Sequence, residues 1–513
     1  MSAARHIAPV VDTTLGRYRG SHRGMACVFR GIRYGKAERF RAPTAPLSFA
    51  GVHDALKNGP AAPQKLGSGP RNPFIAWYSD IRAISEDCLF LNVFTPACDG
   101  AARPVMVWLH GGGWMNFSGS APGTDGSALA AAEDVVVVSL NHRLGAFGFL
   151  SLDWADPDFA DAGNAGLLDI ALALAWVRDN IAGFGGDPAN VTIFGQSGGA
   201  AKVAALMAMP AAEGLFHKAI IQSMSGGLQI AEADAATAIN RALMQAAGID
   251  PAAKGALIDL SKEQLIEAQN ALPRVFRPVI DGRQFSGHPF LPAAPSRARA
   301  IPLLAGCTAT ETTYYLRNSP DSFAIGMEQV TGRLRKFLGT DEAVTRRIIG
   351  AYRDNLQGGS PSDILVAVTT DQIFMRNTYD AARLHTEAGG QAFAFVYARE
   401  TPVEGGHLRA PHCSELPFIF GTTDVARAHV GKGPDITPMT RMMMATWASF
   451  ARTGNPGNAL LPEWPPYSNA DRPVMALQPD PEPLSDPGVS ARAALRSVPR
   501  YEYAMARGGF VTD

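Results

Sequence analysis

The chain has 513 residues, 46% of them hydrophobic and 18% charged, with a formal net charge of −1. This composition supplies a large apolar core, and its charge balance gives no reason to expect nucleic acid or an anionic membrane surface as a partner. No apolar run approaches the ~18 residues of a membrane span, and the opening MSAARHIAPVVDTTLG has no apolar signal-peptide core, so a cytoplasmic chain without membrane contact is expected.

In chain order, residues 10–34 alternate apolar and polar positions around Gly-rich turns and read as antiparallel strands. Residues 44–84, rich in Pro, Gly and Ala, read as a long surface loop. Buried strands follow at 89–94 and 105–109, the second ending in His110-Gly111-Gly112-Gly113-Trp114. SALAAAED reads as a helix, 135–140 as a third buried strand closed by Asn141-His142-Arg143-Leu144-Gly145, and 167–180 as another helix. Further strands are expected at 191–194, 219–222, 301–304 and 393–397. Apolar strands alternating with helices indicate an α/β fold, a parallel sheet covered on both faces. Helical insertions around 230–270 and 314–360 have the character of caps over a site. No composition break marks a linker, so residues 1–513 are expected to form one domain.

Five cysteines (Cys27, Cys88, Cys98, Cys307 and Cys413) are few and unpatterned, which suits a reducing compartment. His407, His412 and Cys413 lie close together, but nothing completes a metal-ligand spacing, so no metal is expected.

The chemistry centres on residues 190–203. Val191 to Phe194 form a short apolar strand, Gly195-Gln196-Ser197-Gly198-Gly199 follows at once, and small residues continue it as a helix. Strand, G-x-S-x-G turn and helix make a nucleophile elbow, whose glycines let strand and helix approach without Cβ clashes. Ser197 is thereby presented at a helix N-terminus, where developing negative charge is favoured. A phosphate-loop reading fails, because Ala201 precedes Lys202 where glycine is needed and Val203 replaces the Ser/Thr metal ligand.

A serine nucleophile needs oxyanion donors, a base and an acid that orients the base. His110-Gly111-Gly112-Gly113 ends a buried strand upstream of the serine, so the amides of Gly112, Gly113 and Gly198 are the candidate donors. For the acid, Glu311 follows the strand near residue 301 directly, whereas Asp281 in IDG has the look of a turn residue. His407 and His412 share one Gly/Pro loop after the strand at 393–397, and the residues alone do not separate them. His217, just before a strand, reads as a surface residue.

The ordered blocks FRGIRYGKA, SEDCLFLNVFTP, HGGGW, NHRLGAFGFL, VTIFGQSGGA, HCSELPFIFG and FARTGNP span nearly the whole chain. The sequence resembles the type-B carboxylesterases, the group of para-nitrobenzyl esterases, carboxylesterases and cholinesterases. The resemblance implies an α/β-hydrolase fold with a large, mostly parallel sheet, antiparallel N-terminal strands and helical cap insertions. It places the nucleophile at Ser197, the acid at Glu311 and the base at His412, with Gly112, Gly113 and Gly198 as the oxyanion hole. It implies supporting roles for Ser225 and Gln196 and no cofactor.

Departures from the family pattern occur in the elbow, where Gln196 and Gly198 replace the usual Glu and Ala, and near the acid, where Thr310 and Thr312 flank Glu311. The cysteine that would pair with Cys88 is Ala62, so Cys88 is expected to be a free thiol. Trp114 stands where Phe is usual and is expected to narrow the acyl side of the pocket. The implied activity is hydrolysis of a small-molecule carboxylic ester, broad or bulky in its alcohol, by a monomer or homodimer. The competing readings are an amide, carbamate or lactone substrate for the same residues, a choline-type cation held by Trp77 and Tyr78, and a non-catalytic binding protein.

Overall fold

The computed structural model describes residues 8–67, 72–152, 157–250, 252–253, 255–273 and 275–501. Residues 1–7, part of the N-terminal segment considered above, lie outside them. The strands are β1 (Val10–Thr13), β2 (Gly16–Arg19), β3 (Ser21–Arg23), β4 (Ala26–Arg33), β5 (Val52–Asp54), β6 (Phe90–Thr95), β7 (Arg103–Leu109) and β8 (Val136–Leu140). They continue as β9 (Gly186–Gln196), β10 (Lys218–Gln222), β11 (Leu303–Thr308), β12 (Ala392–Tyr397), β13 (Pro473–Leu477) and β14 (Glu482–Ser485). Eleven of them form one sheet in the order β14-β13-β12-β11-β10-β9-β7-β8-β6-β4-β3, and β1, β2 and β5 form a small second sheet.

The middle of the large sheet, from β8 through β7 and β9 to β13, is parallel. The flanking pairs β3–β4, β4–β6, β6–β8 and β13–β14 are antiparallel. All five residues of β8, VVVSL, are buried, as a strand covered on both faces requires. The period of two then sorts side chains into separate layers. Val105, Val107, Leu109, Val136 and Val138 enter the core on one face, and Met106, Trp108 and Val137 enter the core on the other. A third cluster gathers around Leu334, Ile348, Leu365 and Phe374, supplied by helices within 327–387.

The loop expected over 44–84 contains β5 and a seven-residue helix, Pro73–Ser79, capped by the Asn72 side chain. Helices Pro361–Thr370, Arg376–Glu387 and Ile436–Thr453, and strands β13 and β14, carry no sequence expectation above. By length and mean hydropathy alone, the helical stretch Pro157–Phe184 is long and apolar enough to cross a membrane, although Asp169, Arg178 and Asp179 interrupt its apolar run. Within the fold it is a core element, with 72% of its most apolar window buried.

Register aligns the parallel strands so that their carboxyl ends share one edge. Leu109 stands beside Gly195, Gln196 beside Gln222, and Gln222 beside Gly306. In open α/β sheets this edge is where ligands bind.

Candidate active site

β9 ends at Gln196, and the next residue turns the chain straight into the helix Gly198–Ala208. Ser197 has φ 59° and ψ −121°, a strained backbone for a residue with a side chain. Two hydrogen bonds hold it there: its amide donates to the Gln222 carbonyl at 2.8 Å, and its carbonyl accepts from the Ala201 amide at 3.2 Å. The glycines are obligatory. A Cβ on Gly195 would lie 2.5 Å from the Gly199 carbonyl carbon, and one on Gly199 would lie 2.1 Å from the Leu109 oxygen.

Glu311 follows β11 by three residues and is fully buried. One carboxylate oxygen accepts the Thr308 amide at 2.8 Å, and the other contacts His412 Nδ1. The His412 amide donates to the Glu311 carbonyl at 3.2 Å, so backbone and side chain dock together. Two nearby threonines, Thr310 and Thr313, join the two loops. Thr313 Oγ1 donates to the Leu408 carbonyl at 2.7 Å, and the Ala410 amide donates to Thr310 Oγ1 at 2.9 Å.

Geometry thus separates His412 from His407, whose ring lies 40% exposed against Phe323. Asp281 is a turn residue, one oxygen accepting the amides of Arg283, Gln284 and Phe285. His217 is half-buried and accepts the Val191 amide at 3.1 Å, so it is tied to β9 rather than free on the surface.

His412 is enclosed by aromatic rings, with Phe374 at 4.6 Å, Tyr314 at 5.9 Å and Tyr315 at 6.0 Å between centroids. Gln196 also covers it. Its amide nitrogen lies 3.3 Å from Nδ1 and 3.1 Å from Nε2. Such equal approach comes over the ring face, because an in-plane approach would collide with Cε1. Among the described residues no hydrogen bond joins Ser197 Oγ to His412, the looser geometry common in unliganded hydrolases.

The loop after β7 is shaped by left-handed glycines, Gly112 at φ 80° and Gly113 at φ 68°. It packs against Gly198 so tightly that a Cβ there would lie 2.3 Å from the Gly113 Cα. The Gly111 amide donates to the Tyr78 hydroxyl at 2.8 Å. That hydroxyl belongs to the short helix the sequence concealed, and Trp77 beside it is buried, its indole N–H bonded to the Phe74 carbonyl and its ring against His429. Both aromatics are therefore packing and positioning groups, which argues against a choline-type cation site there.

Trp114 is buried edge-on against Phe149 at 5.1 Å and borders a cavity of about 10 Å³ with Gly226, Gly227, Ile230, Arg277 and Asn377. Ser225 is fully buried just beyond β10. All five cysteines are free thiols, Cys88 among them. No cluster of three metal-ligating side chains occurs among the described residues.

Two buried charged residues beside the site, Glu415 and Lys202, were given no role by the sequence. Glu415, three residues after His412, has one oxygen bonded to Gln222 Nε2 at 3.0 Å and the other without a partner among the described residues. Burial, aided by the charge of Glu311, pushes its carboxyl up to about 8. Lys202 is buried in the elbow helix, donating to the carbonyls of His110 and Gly113 at 2.9 Å each.

A profile of the carboxylesterase family matches residues 7–495. The chain belongs to the carboxylesterase family. It is 35% identical over 506 residues to the para-nitrobenzyl esterase of Bacillus subtilis (strain 168), covering 95% of this chain and 98% of that one. A phenmedipham hydrolase from Pseudarthrobacter oxydans is 34% identical, over 91% and 95% of the two chains. Among solved structures, a Geobacillus stearothermophilus carboxylesterase superposes with a TM-score of 0.82 at 35% identity, covering 94% and 99%. The fold is accordingly the α/β-hydrolase fold, and the chain is a carboxylic ester hydrolase.

Proposed function

We propose that this carboxylesterase works through an acyl-enzyme on Ser197, with His412 as general base and Glu311 as its orienting acid. The observation that carries the reading is the buried pairing of His412 Nδ1 with Glu311 beside the strained turn that presents Ser197. His412 removes the Ser197 proton as Oγ attacks the ester carbonyl, and the tetrahedral oxyanion is held by the amides of Gly112, Gly113 and Gly198. Glu311 keeps the imidazole in its working tautomer and stabilises the imidazolium. His412 then protonates the departing alcohol, and water repeats the two steps on the acyl-enzyme to release the acid.

Gln196 and Ser225 support these groups from behind, and Trp114 bounds the acyl side. The insertions around 230–270 and 314–360 cap this site within one domain, and the triple-glycine loop suits esters of bulky alcohols. The free thiols, with alanine at position 62 where the family's partner of Cys88 would stand, support a reducing, cytoplasmic setting. Rates on p-nitrophenyl esters from acetate to octanoate, for the wild type and Ser197→Ala, test the reading. Activity abolished in the variant supports it, and a live Ser197→Ala enzyme overturns it.

A further inference from the structure

We infer that Lys202 is a positioning residue for the oxyanion loop: its amine grips the His110 and Gly113 carbonyls, fixing the peptides that flank the Gly112 and Gly113 amides. The inference rests on the role proposed above for those amides.

Lys202 lies one turn along the elbow helix from Gly198, on the same helix face. Its amine donates to both carbonyls at 2.9 Å. These carbonyls belong to the two peptide units on either side of the pair that carries the Gly112 and Gly113 N–H groups. The first unit is held from its other end as well, where the Gly111 amide donates to Tyr78. Gly113 is pressed against Gly198 in between. The loop is therefore clamped at three points, and two of them come from one helix face that begins at the nucleophile.

A packing role does not account for a lysine here. The residue is wholly buried, and burying a cation without a counter-charge is costly. The groups facing the amine are the indole of Trp114, 5.5 Å from ring centre to nitrogen, and the rings of His110 and His142. Burial, aided by the charge of Lys202, holds both histidines well below their ordinary range, so neither adds a second positive charge beside the amine. Burial pulls the Lys202 amine down to about 7, and no carboxylate among the described residues offsets it. An apolar side chain would fill this volume at lower cost, whereas only a donor satisfies two buried carbonyls aimed at one point.

The test compares wild type, Lys202→Met, Lys202→Gln and Ser197→Ala on p-nitrophenyl butyrate. An aliphatic trifluoromethyl ketone, which forms a tetrahedral adduct, is the inhibitor. Lys202→Met removes both donors at similar volume and is expected to lower kcat about 10- to 100-fold with KM nearly constant, weakening the ketone in proportion. Lys202→Gln keeps an N–H donor group on a shorter side chain and should fall between. If the Met variant does not fold, as read by its thermal midpoint, the Gln variant carries the test with the same signature. A folded variant with near-native kcat, or a loss confined to KM, overturns the inference. If Lys202→Met is near-native while Ser197→Ala is dead, the inference alone fails. A live Ser197→Ala enzyme removes the reading beneath it.

Discussion

Gly198 meets Gly113 at a distance no side chain permits: a Cβ on residue 198 would fall 2.3 Å from the Gly113 Cα and 2.5 Å from its amide nitrogen. The obstruction is backbone, which cannot swing aside as a flexible side chain can. Alanine is usual at this position in the family, so the loop here has closed into space that a methyl group would occupy. Gly198→Ala should push the Gly112–Gly113 amides away from Ser197 and lower kcat by about 10- to 100-fold. Steady-state rates on one p-nitrophenyl ester check this, and an unchanged kcat would show that the loop tolerates the displacement.

The face of the His412 ring is covered by the Gln196 amide, whose Oε1 is buried without a partner among the described residues. Gln196→Glu would put negative charge beside the imidazole in a poorly solvated site. That charge favours the imidazolium, so more alkaline conditions are needed to free the base. The acid limb of the kcat/KM profile should move upward by on the order of one pH unit. A limb that stays in place would mean that residue 196 does not sense the ring's charge.

Burial raises the Glu415 carboxyl to about 8, which favours its neutral form in the folded chain. Between the ordinary glutamate range and that value, the unfolded chain has released its proton while the folded chain retains it. Stability contributed by the neutral form is therefore present at low pH and is lost as pH rises through this window. Glu415→Gln should flatten the fall in thermal midpoint between about pH 5 and pH 8 and leave the variant relatively more stable at the alkaline end. Parallel curves for the two proteins would contradict the assignment.

Arg143 and Asp169 form a fully buried pair, with Nη2 to Oδ1 at 2.6 Å and Nε to Oδ2 at 2.8 Å. The same carboxylate accepts the Arg143 amide at 2.9 Å, tying the loop after β8 to the helix Ala165–Asn180. Asp169→Asn leaves the guanidinium buried without its counter-charge, at a cost of about 3–5 kcal/mol. Denaturant unfolding measures it, and a loss below ~1 kcal/mol would mean that water or another group reaches Arg143.

The central strands were legible because a strand covered on both faces is a continuous apolar run, and VVVSL leaves little alternative. The elbow was legible because its glycines are dictated by contacts within a few residues of Ser197 and by the neighbouring strand. The helix Pro73–Ser79 was not, since seven residues in a Pro- and Gly-rich stretch are too few to establish a period. Strand β13, PVMAL, is likewise a short apolar run that reads equally well as loop or helix. His407 and His412 share one loop, and beyond the family resemblance it is contact with a residue about a hundred positions earlier that distinguishes them. Lys202 shows the same limit. A lysine in a small-residue helix reads as exposed until a distant loop folds over it and turns two carbonyls toward its amine.

The most direct test of the account is labelling with a fluorophosphonate, followed by intact mass and peptide mapping. The account predicts one phosphonyl group per chain, carried on Ser197, with activity lost in proportion to labelling and no adduct on Ser197→Ala. Inactivation with the adduct on another residue, or full labelling with activity retained, would contradict it.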